Sequence, residues 1–415
     1  MRPELAAIQA RRDRELRSEL AADRGVTRAL ARFEDRASGW GFRQRRALLA
    51  EAIRLNRRMA PQVAEALADC RAALGFDLPV EIYLRPEPVY NAFCSKGRAG
   101  PLVIGFSSRL LDEFDDGEPR FVLGHEIGHA LFDHFGIPMP ITATIEDVGG
   151  TLVSRAVQLR LFVWCRAAEV SADRAGLLCC RDPQVAATAF FKLASGLARP
   201  SVQTDLDAFA AQIDSLASTP NALNERVTDD DTLDCFSTHP YTPVRVRALV
   251  AFGRSRPFRS AIGTGGEDGL TADEVEQVVE RDLSLMEPSY LEERTAEAER
   301  MRRGLYCAGI AVAAAHGDVS PAEIGALRAL LGAREAVVPS DPAAVREELD
   351  RLLGELVSAP LGRRAQLVQH LTVIAGADGH VAEEEYAVMA DIATRLAVPQ
   401  EIIDQTLHAA AAPMD

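Results

Sequence analysis

The chain has 415 residues and a mass of 45.0 kDa, too long for one compact domain and enough for two or three. Hydrophobic residues at 47% beside 26% charged residues exclude whole-chain disorder, and 6% aromatics with a net charge of −15 argue against a nucleic-acid platform. Seven cysteines, an odd number with no C-x-x-C pair, exclude a disulfide framework or a zinc ribbon.

The chain opens on a basic arm. Residues 1–60 hold 15 Arg against 8 Asp and Glu, so the acidic excess lies entirely in the remainder. Arg and acidic residues alternate there at helical spacing, which favours docking on the protein's own acidic remainder over an acidic partner or a membrane surface. MRPELAAIQARRDRELRSEL has no apolar core of a secretory signal, and no stretch reaches the ~18 apolar residues of a membrane span. The expectation is a cytoplasmic protein that binds no nucleic acid. Leu5, Ile8, Leu16, Leu20, then Leu48, Leu49, Ile53 and Leu55 recur every three or four residues. Residues 1–76 therefore read as a helical arm, broken at Gly39-Trp40-Gly41.

The period then changes. Leu78 to Leu84 and Leu102 to Phe106 read as strands, with a further short strand expected between them at Tyr90 to Cys94. Pro119 opens a helix expected to run to about Phe135, and an almost uniformly apolar helix is expected from Thr151 to about Leu178. Gly253 to Gly269 is the most linker-like stretch. Beyond it AHGDVSPAE at 315–323 and ADGHVAEEE at 377–385 match at an offset of 62 residues, an internal duplication of helix–turn–helix units. The expected domains are 1–76, 77–255 and 301–415, with 256–300 connecting the last two.

The chemistry concentrates in His125-Glu126-Ile127-Gly128-His129. On a helix, positions i and i+4 share a face, so both imidazoles reach one metal ion and Glu126 stands beside the first. A hydrolytic zinc site needs a third protein ligand and an open position for water. Glu169 supplies it, 40 residues past His129, with Asp173 one turn on and placed to accept a histidine ring N–H. Two acids inside an apolar helix need something positive to neutralise them. The alternative is pairing with Arg166 and Arg174 on a solvated face.

With these motifs in place the sequence resembles the gluzincin zinc metallopeptidases of the HtpX and CAAX prenyl protease type, whose pattern is H-E-x-x-H with a later E-x-x-x-D. Asn91-Ala92-Phe93 is similar to that family's cleft-bordering strand, and Ser237-Thr238-His239-Pro240 with Arg245 to its S-T-H-P…R segment. The resemblance spans about residues 80–250. It implies an α+β fold, one Zn2+ per chain on His125, His129 and Glu169, and Glu126 as general base. It places Asp173 behind a ligand and His239 facing the metal, as an oxyanion donor or as a resting-state ligand. Asn91, Ala92 and Phe93 fall to the substrate, a protein or peptide, and Arg245 to holding the His239 loop or a substrate carbonyl. Many members of the family span membranes, and no span is expected here, so no lipid-linked substrate is implied. Cys94 departs from the family's small residue, either as a thiolate that silences the zinc or as a plain buried cysteine.

The duplicated segments resemble the all-α TerB-like (tellurite-resistance-type) domain, with Asp378-Gly379-His380-Val381 and Glu385 fitting its acidic turn and His316-Gly317-Asp318 a permuted copy. The spacing is not that of an EF-hand. Ser320-Pro321-Ala322-Glu323 reads as a capping box. The implied role is regulation or partner binding by an acidic surface that could receive the basic arm. Three functions compete: a zinc endopeptidase acting on soluble proteins or peptides, a stress-response scaffold with a structural or latent zinc site, and a membrane-surface protein that binds anionic lipid through the Arg-rich arm.

Overall fold

The computed structural model describes residues 7–36, 46, 48–96, 100–115, 117–137, 155–197, 205–218, 239–265, 268–286, 289–291, 295–317, 319–331, 342–359, 361–378 and 380–409. The Gly39–Gly41 break, Ser237, Thr238, Asp318 and Gly379 lie outside them. The fold is mostly helical with one small mixed sheet. Two compact units divide it, Met1–Met139 with Trp164–Ser215 and His239–Leu283, and Pro140–Val163 with Leu216–Thr238 and Ser284–Asp415.

The first unit begins with α1 (Arg11–Ala22) and α2 (Arg24–Arg36). On α1, Asp13, Leu16 and Leu20 are buried at three- and four-residue spacings, so one acid shares the apolar stripe. Strand β1 (Ile53–Leu55) corrects the expectation of helix throughout the arm: it pairs antiparallel with β2 (Val80–Arg85), so Ile53 and Leu55 obey a partner strand rather than a helical period. Helix α3 (Pro61–Leu74) starts on a proline and stops where Gly75 turns left-handed, donating back to the Arg71 carbonyl. Strands β3 (Ala92–Lys96) and β4 (Leu102–Ser107) complete the sheet in the order β1-β2-β4-β3, with β2 parallel to β4 and β3 antiparallel on an outer edge. The middle strand sits two residues later than expected, and its alternation puts Phe93 and Cys94 on opposite faces.

Short helix α4 (Ser108–Glu113) leads to α5 (Glu118–Leu131), which ends earlier than expected, and a 3-10 turn follows at His134–Gly136. Helix α6 (Arg155–Cys180), α7 (Pro183–Ser195) and α8 (Leu206–Ser218) come next, then α9 (Thr242–Gly253), α10 (Arg256–Ala261) and α11 (Ala272–Leu283). The linker-like stretch is tied down within this unit: Arg256 N–H donates to Leu270 O, and Leu270 N–H to Arg254 O. Leu102, Ile104 and Phe106 of β4 join Phe121, Leu123 and Ile127 of α5 in one apolar core.

The second unit is all helix where described. Helices α12 (Ala296–Ala313), α13 (Pro321–Leu331), α14 (Pro342–Leu356), α15 (Leu361–Ala375), α16 (Glu383–Arg395) and α17 (Glu401–Ala409) enclose a core around Leu305, Ile310, Leu367 and Leu371. The capping box is present: Glu323 N–H donates to Ser320 Oγ and Ser320 N–H to the Glu323 carboxylate. Sixty-two residues on, Ala382 N–H donates to Glu385 in the same way, so the duplication is visible as two matching helix starts. Among the described residues no helix is long and apolar enough to cross a membrane.

Candidate metal centre

Two helices carry the centre, and small residues let them meet. A Cβ on Gly124 would stand 2.6 Å from Cys179 Sγ, and one on Gly128 would stand 3.0 Å from Ala172 Cα. Helix α5 therefore rides directly on the backbone of α6, close enough for side chains of both to share one point. His125 and His129 come from α5 and Glu169 from α6. Among the described residues these three are the group of possible metal ligands, their donor atoms all within 4.8 Å of one another.

The donor atoms are aimed. His125 Nε2 and His129 Nε2 lie 3.2 Å apart, and 3.5 and 3.4 Å from the Glu169 carboxylate oxygens. Each ring's other nitrogen is already engaged. His125 Nδ1 lies 2.8 Å from Asp173 Oδ1, the contact expected of the acid one turn past Glu169. A proton held on Nδ1 leaves the lone pair on Nε2, the form a metal requires. Glu169 is 3% exposed, and its buried Oε2 accepts no hydrogen bond; the Arg245 guanidinium stands 3.1 Å from it as an ion pair. Two imidazoles whose Nε2 atoms face one buried carboxylate with an unsatisfied oxygen make a donor set that suits zinc.

Arg245 is placed differently from the substrate-side position expected of it. On α9, it forms a fork on Asp173, Nε to Oδ2 at 2.9 Å and Nη2 to Oδ1 at 2.7 Å, and stacks over Phe190. Burial alone would raise the Glu169 and Asp173 pKa values. His239, Arg245, His129 and His125 outweigh it at Glu169, and Arg245 with His125 outweighs it at Asp173, so both carboxyls sit below their ordinary range. Arg174, offered as an alternative partner for these acids, bonds Glu276 and the Ile8 carbonyl instead.

Glu126 is buried on α5. The Cys94 thiol stands beside it, and burial together with the charge of Glu126 pushes that thiol well above its ordinary pKa. Cys94 lies outside the ligand group. His239 stands at the rim with a half-exposed side chain, Nε2 3.7 Å from Glu169 Oε1. Asn91 is exposed and Ala92 half-buried at the start of edge strand β3. Phe93 turns to the other sheet face, its ring over Gly105 and packed with Tyr83 and Val103.

Two residues near the centre were not anticipated. His134 Nδ1 lies 2.9 Å from His129 Nδ1, and Asp13 Oδ2 lies 3.1 Å from His134 Nε2. His134 could have been suspected from its place five residues after His129. Asp13, set among arginines, carries no local signal. The basic arm does dock on acidic groups, with Arg11 on Asp273 and Glu280 of α11.

Two histidines of an H-E-x-x-H helix and a glutamate of a second helix make a site that could hold a metal ion. Comparison with known proteins carries this further. Residues 56–252 match the model of Peptidase family M48, and residues 302–407 that of Tellurite resistance protein TerB. The plastoglobule-localized metallopeptidase 48 of Arabidopsis thaliana chloroplasts is 28% identical over 204 residues, 47% of this chain and 58% of its own length. A protease HtpX homolog of Tropheryma whipplei is 25% identical over 240 residues, 50% of this chain and 77% of its own. The mitochondrial metalloendopeptidase OMA1 of Arabidopsis thaliana is 37% identical over 128 residues, 27% of this chain and 25% of its own. The chain carries a peptidase family M48 domain of the HtpX and OMA1 kind, followed by a TerB domain.

Proposed function

We propose that the protein is a zinc-dependent metalloendopeptidase that hydrolyses peptide bonds of soluble cytoplasmic proteins or peptides, with one Zn2+ per chain on His125, His129 and Glu169. The observation that carries the reading is the convergence of both Nε2 atoms on the Glu169 carboxylate while both Nδ1 atoms are engaged behind. A zinc ion held there supplies Lewis acidity, lowering the pKa of water and polarising the peptide carbonyl. Glu126 takes the proton of the attacking water and returns it to the leaving amine. Asp173 and Arg245 hold His125 and Glu169 in place. His239, at the rim, donates to the developing oxyanion. The outer edge of β3, beginning at Asn91 and Ala92, takes up substrate backbone by strand addition, which favours extended peptides. The TerB domain receives a regulatory partner.

The test is zinc content of the purified protein alongside casein hydrolysis by wild type, Glu126→Gln and Glu169→Ala. One zinc per chain is expected, lost in Glu169→Ala. Hydrolysis should fall by about 10²- to 10⁴-fold in Glu126→Gln while zinc is retained. Zinc without hydrolysis in any form would favour the alternative, a scaffold with a latent zinc site and function in the TerB domain.

A further inference from the structure

We infer that Asp13 and His134 are positioning residues for the metal centre: a buried Asp13–His134–His129 chain of hydrogen bonds fixes the tautomer of His129, as Asp173 fixes that of His125. The inference rests on the zinc reading above.

The chain has one consistent set of protons. For His129 Nε2 to offer a lone pair toward Glu169 and the metal, its proton must sit on Nδ1. That proton faces His134 Nδ1 at 2.9 Å, which must then accept. A neutral His134 accepting at Nδ1 carries its own proton on Nε2, and that nitrogen points at Asp13 Oδ2, 3.1 Å away. The line ends on a group that can only accept.

Asp13 is built for that end. It is fully buried, and its remaining acceptor positions are filled by donors: Trp164 Nε1 at 2.9 Å on Oδ1, and Ser171 Oγ at 2.7 Å and Gln9 Nε2 at 2.9 Å on Oδ2. An indole N–H can only donate. An amide in place of the carboxylate would therefore turn its N–H2 against Trp164 or against His134 Nε2. In the second case His134 must carry its proton on Nδ1, facing the proton of His129. His129 could relieve this only by moving its proton to the metal-binding nitrogen.

The arm also grips the turn that carries His134. Arg17, one helical turn after Asp13, donates from Nε to the Asp133 carbonyl at 3.2 Å and forms an ion pair with the Asp133 carboxylate. Asp133 holds a left-handed φ of 55°, the bend that sends His134 back beneath His129. The arm is thus part of the centre, with two contacts from one helix face holding the second histidine.

The experiment is zinc affinity of the full chain by competition with a chromophoric chelator. Asp13→Asn and His134→Phe should each weaken zinc by about 10- to 100-fold, as Asp173→Asn should. The Asp13→Asn/His134→Phe double variant should be no weaker than either single one, because both break one line, whereas Asp13→Asn with Asp173→Asn should multiply. Nitrogen-15 histidine spectra of zinc-loaded wild type supply a readout that needs no variant: protons on His129 Nδ1 and His134 Nε2 are expected, and protons on the opposite nitrogens would overturn the inference. Unchanged affinity in Asp13→Asn and His134→Phe, with Asp173→Asn weakened, would also overturn it and leave the zinc site intact. Absence of zinc binding in wild type would remove the site and the inference together.

Discussion

The interiors of the two units bury polar groups for different reasons. In the second unit most of them serve a nearby piece of backbone or a single partner, the exception being Glu385, which caps its helix and also faces His316 at 3.2 Å and Glu323. Glu323 and Glu385 cap their own helices, Arg364 donates to the Ala359 and Leu396 carbonyls, and Tyr290 pairs with His370. In the first unit buried charges bond each other across long stretches of sequence: Asp13 with His134, Asp173 with Arg245 and His125, Arg174 with Glu276. Helix caps and buried pairs suffice to build a fold. A connected set of acids, bases and one guanidinium around a common point costs stability that apolar packing would not, which is the signature of a place kept for chemistry.

The sharpest way to break this contrast is to remove its central cation. Arg245→Met would strand Asp173 and Glu169 as buried acids, and the metal-free protein should lose about 3–5 kcal/mol in a denaturant titration. A loss within 1 kcal/mol would show that the acids need no compensation. The next effect belongs to the second unit and to pH. Burial lowers the His370 pKa to about 3 from an ordinary 6.5, so the unfolded chain takes up a proton that the folded one refuses. Stability is then full above pH 6.5 and falls as pH drops toward 3, by on the order of 4 kcal/mol over the whole window. His370→Phe should flatten the thermal-melt dependence of that unit across the same range; an unaltered slope would refute the assignment. The smallest expected effect is the loss of a cap. Ser320→Ala should cost about 1 kcal/mol and leave zinc affinity untouched, whereas a change in zinc affinity would contradict the local role given to that capping box.

How much of this was legible beforehand follows from how far each residue's partner lies along the chain. His125, Glu126 and His129 are read from i and i+4 spacing, and Glu169 with Asp173 from the same rule applied to a second helix. The capping box at Ser320 is equally local. Arg245 was noticed, but its fork on Asp173 depends on α9 packing beside α6, which no spacing encodes. Ile53 and Leu55 fit a helical period by accident, and only the pairing with β2 decides for strand. Phe93 could have been placed away from the site by the alternation of its strand, since Cys94 next to it faces Glu126. Asp13 was hidden by its neighbours: among arginines it looked like half of a surface charge pattern, yet of its partners only Gln9 is local, and His134, Trp164 and Ser171 lie 121 to 158 residues away.

The docking of the basic arm bears on how this unit folds. Ala10 N–H bonds Ser171 across 161 residues, and Arg11 N–H bonds Glu276 across 265. Contacts so distant in sequence slow folding more than they cost in stability. The sheet and the α5–α6 pair are joined by shorter loops and can pack while α1 is still free. His129 thus has its backing only where the arm docks, through Asp13 on His134, Trp164 and Ser171. A chain without α1 would hold the H-E-x-x-H helix without the clasp behind its second histidine.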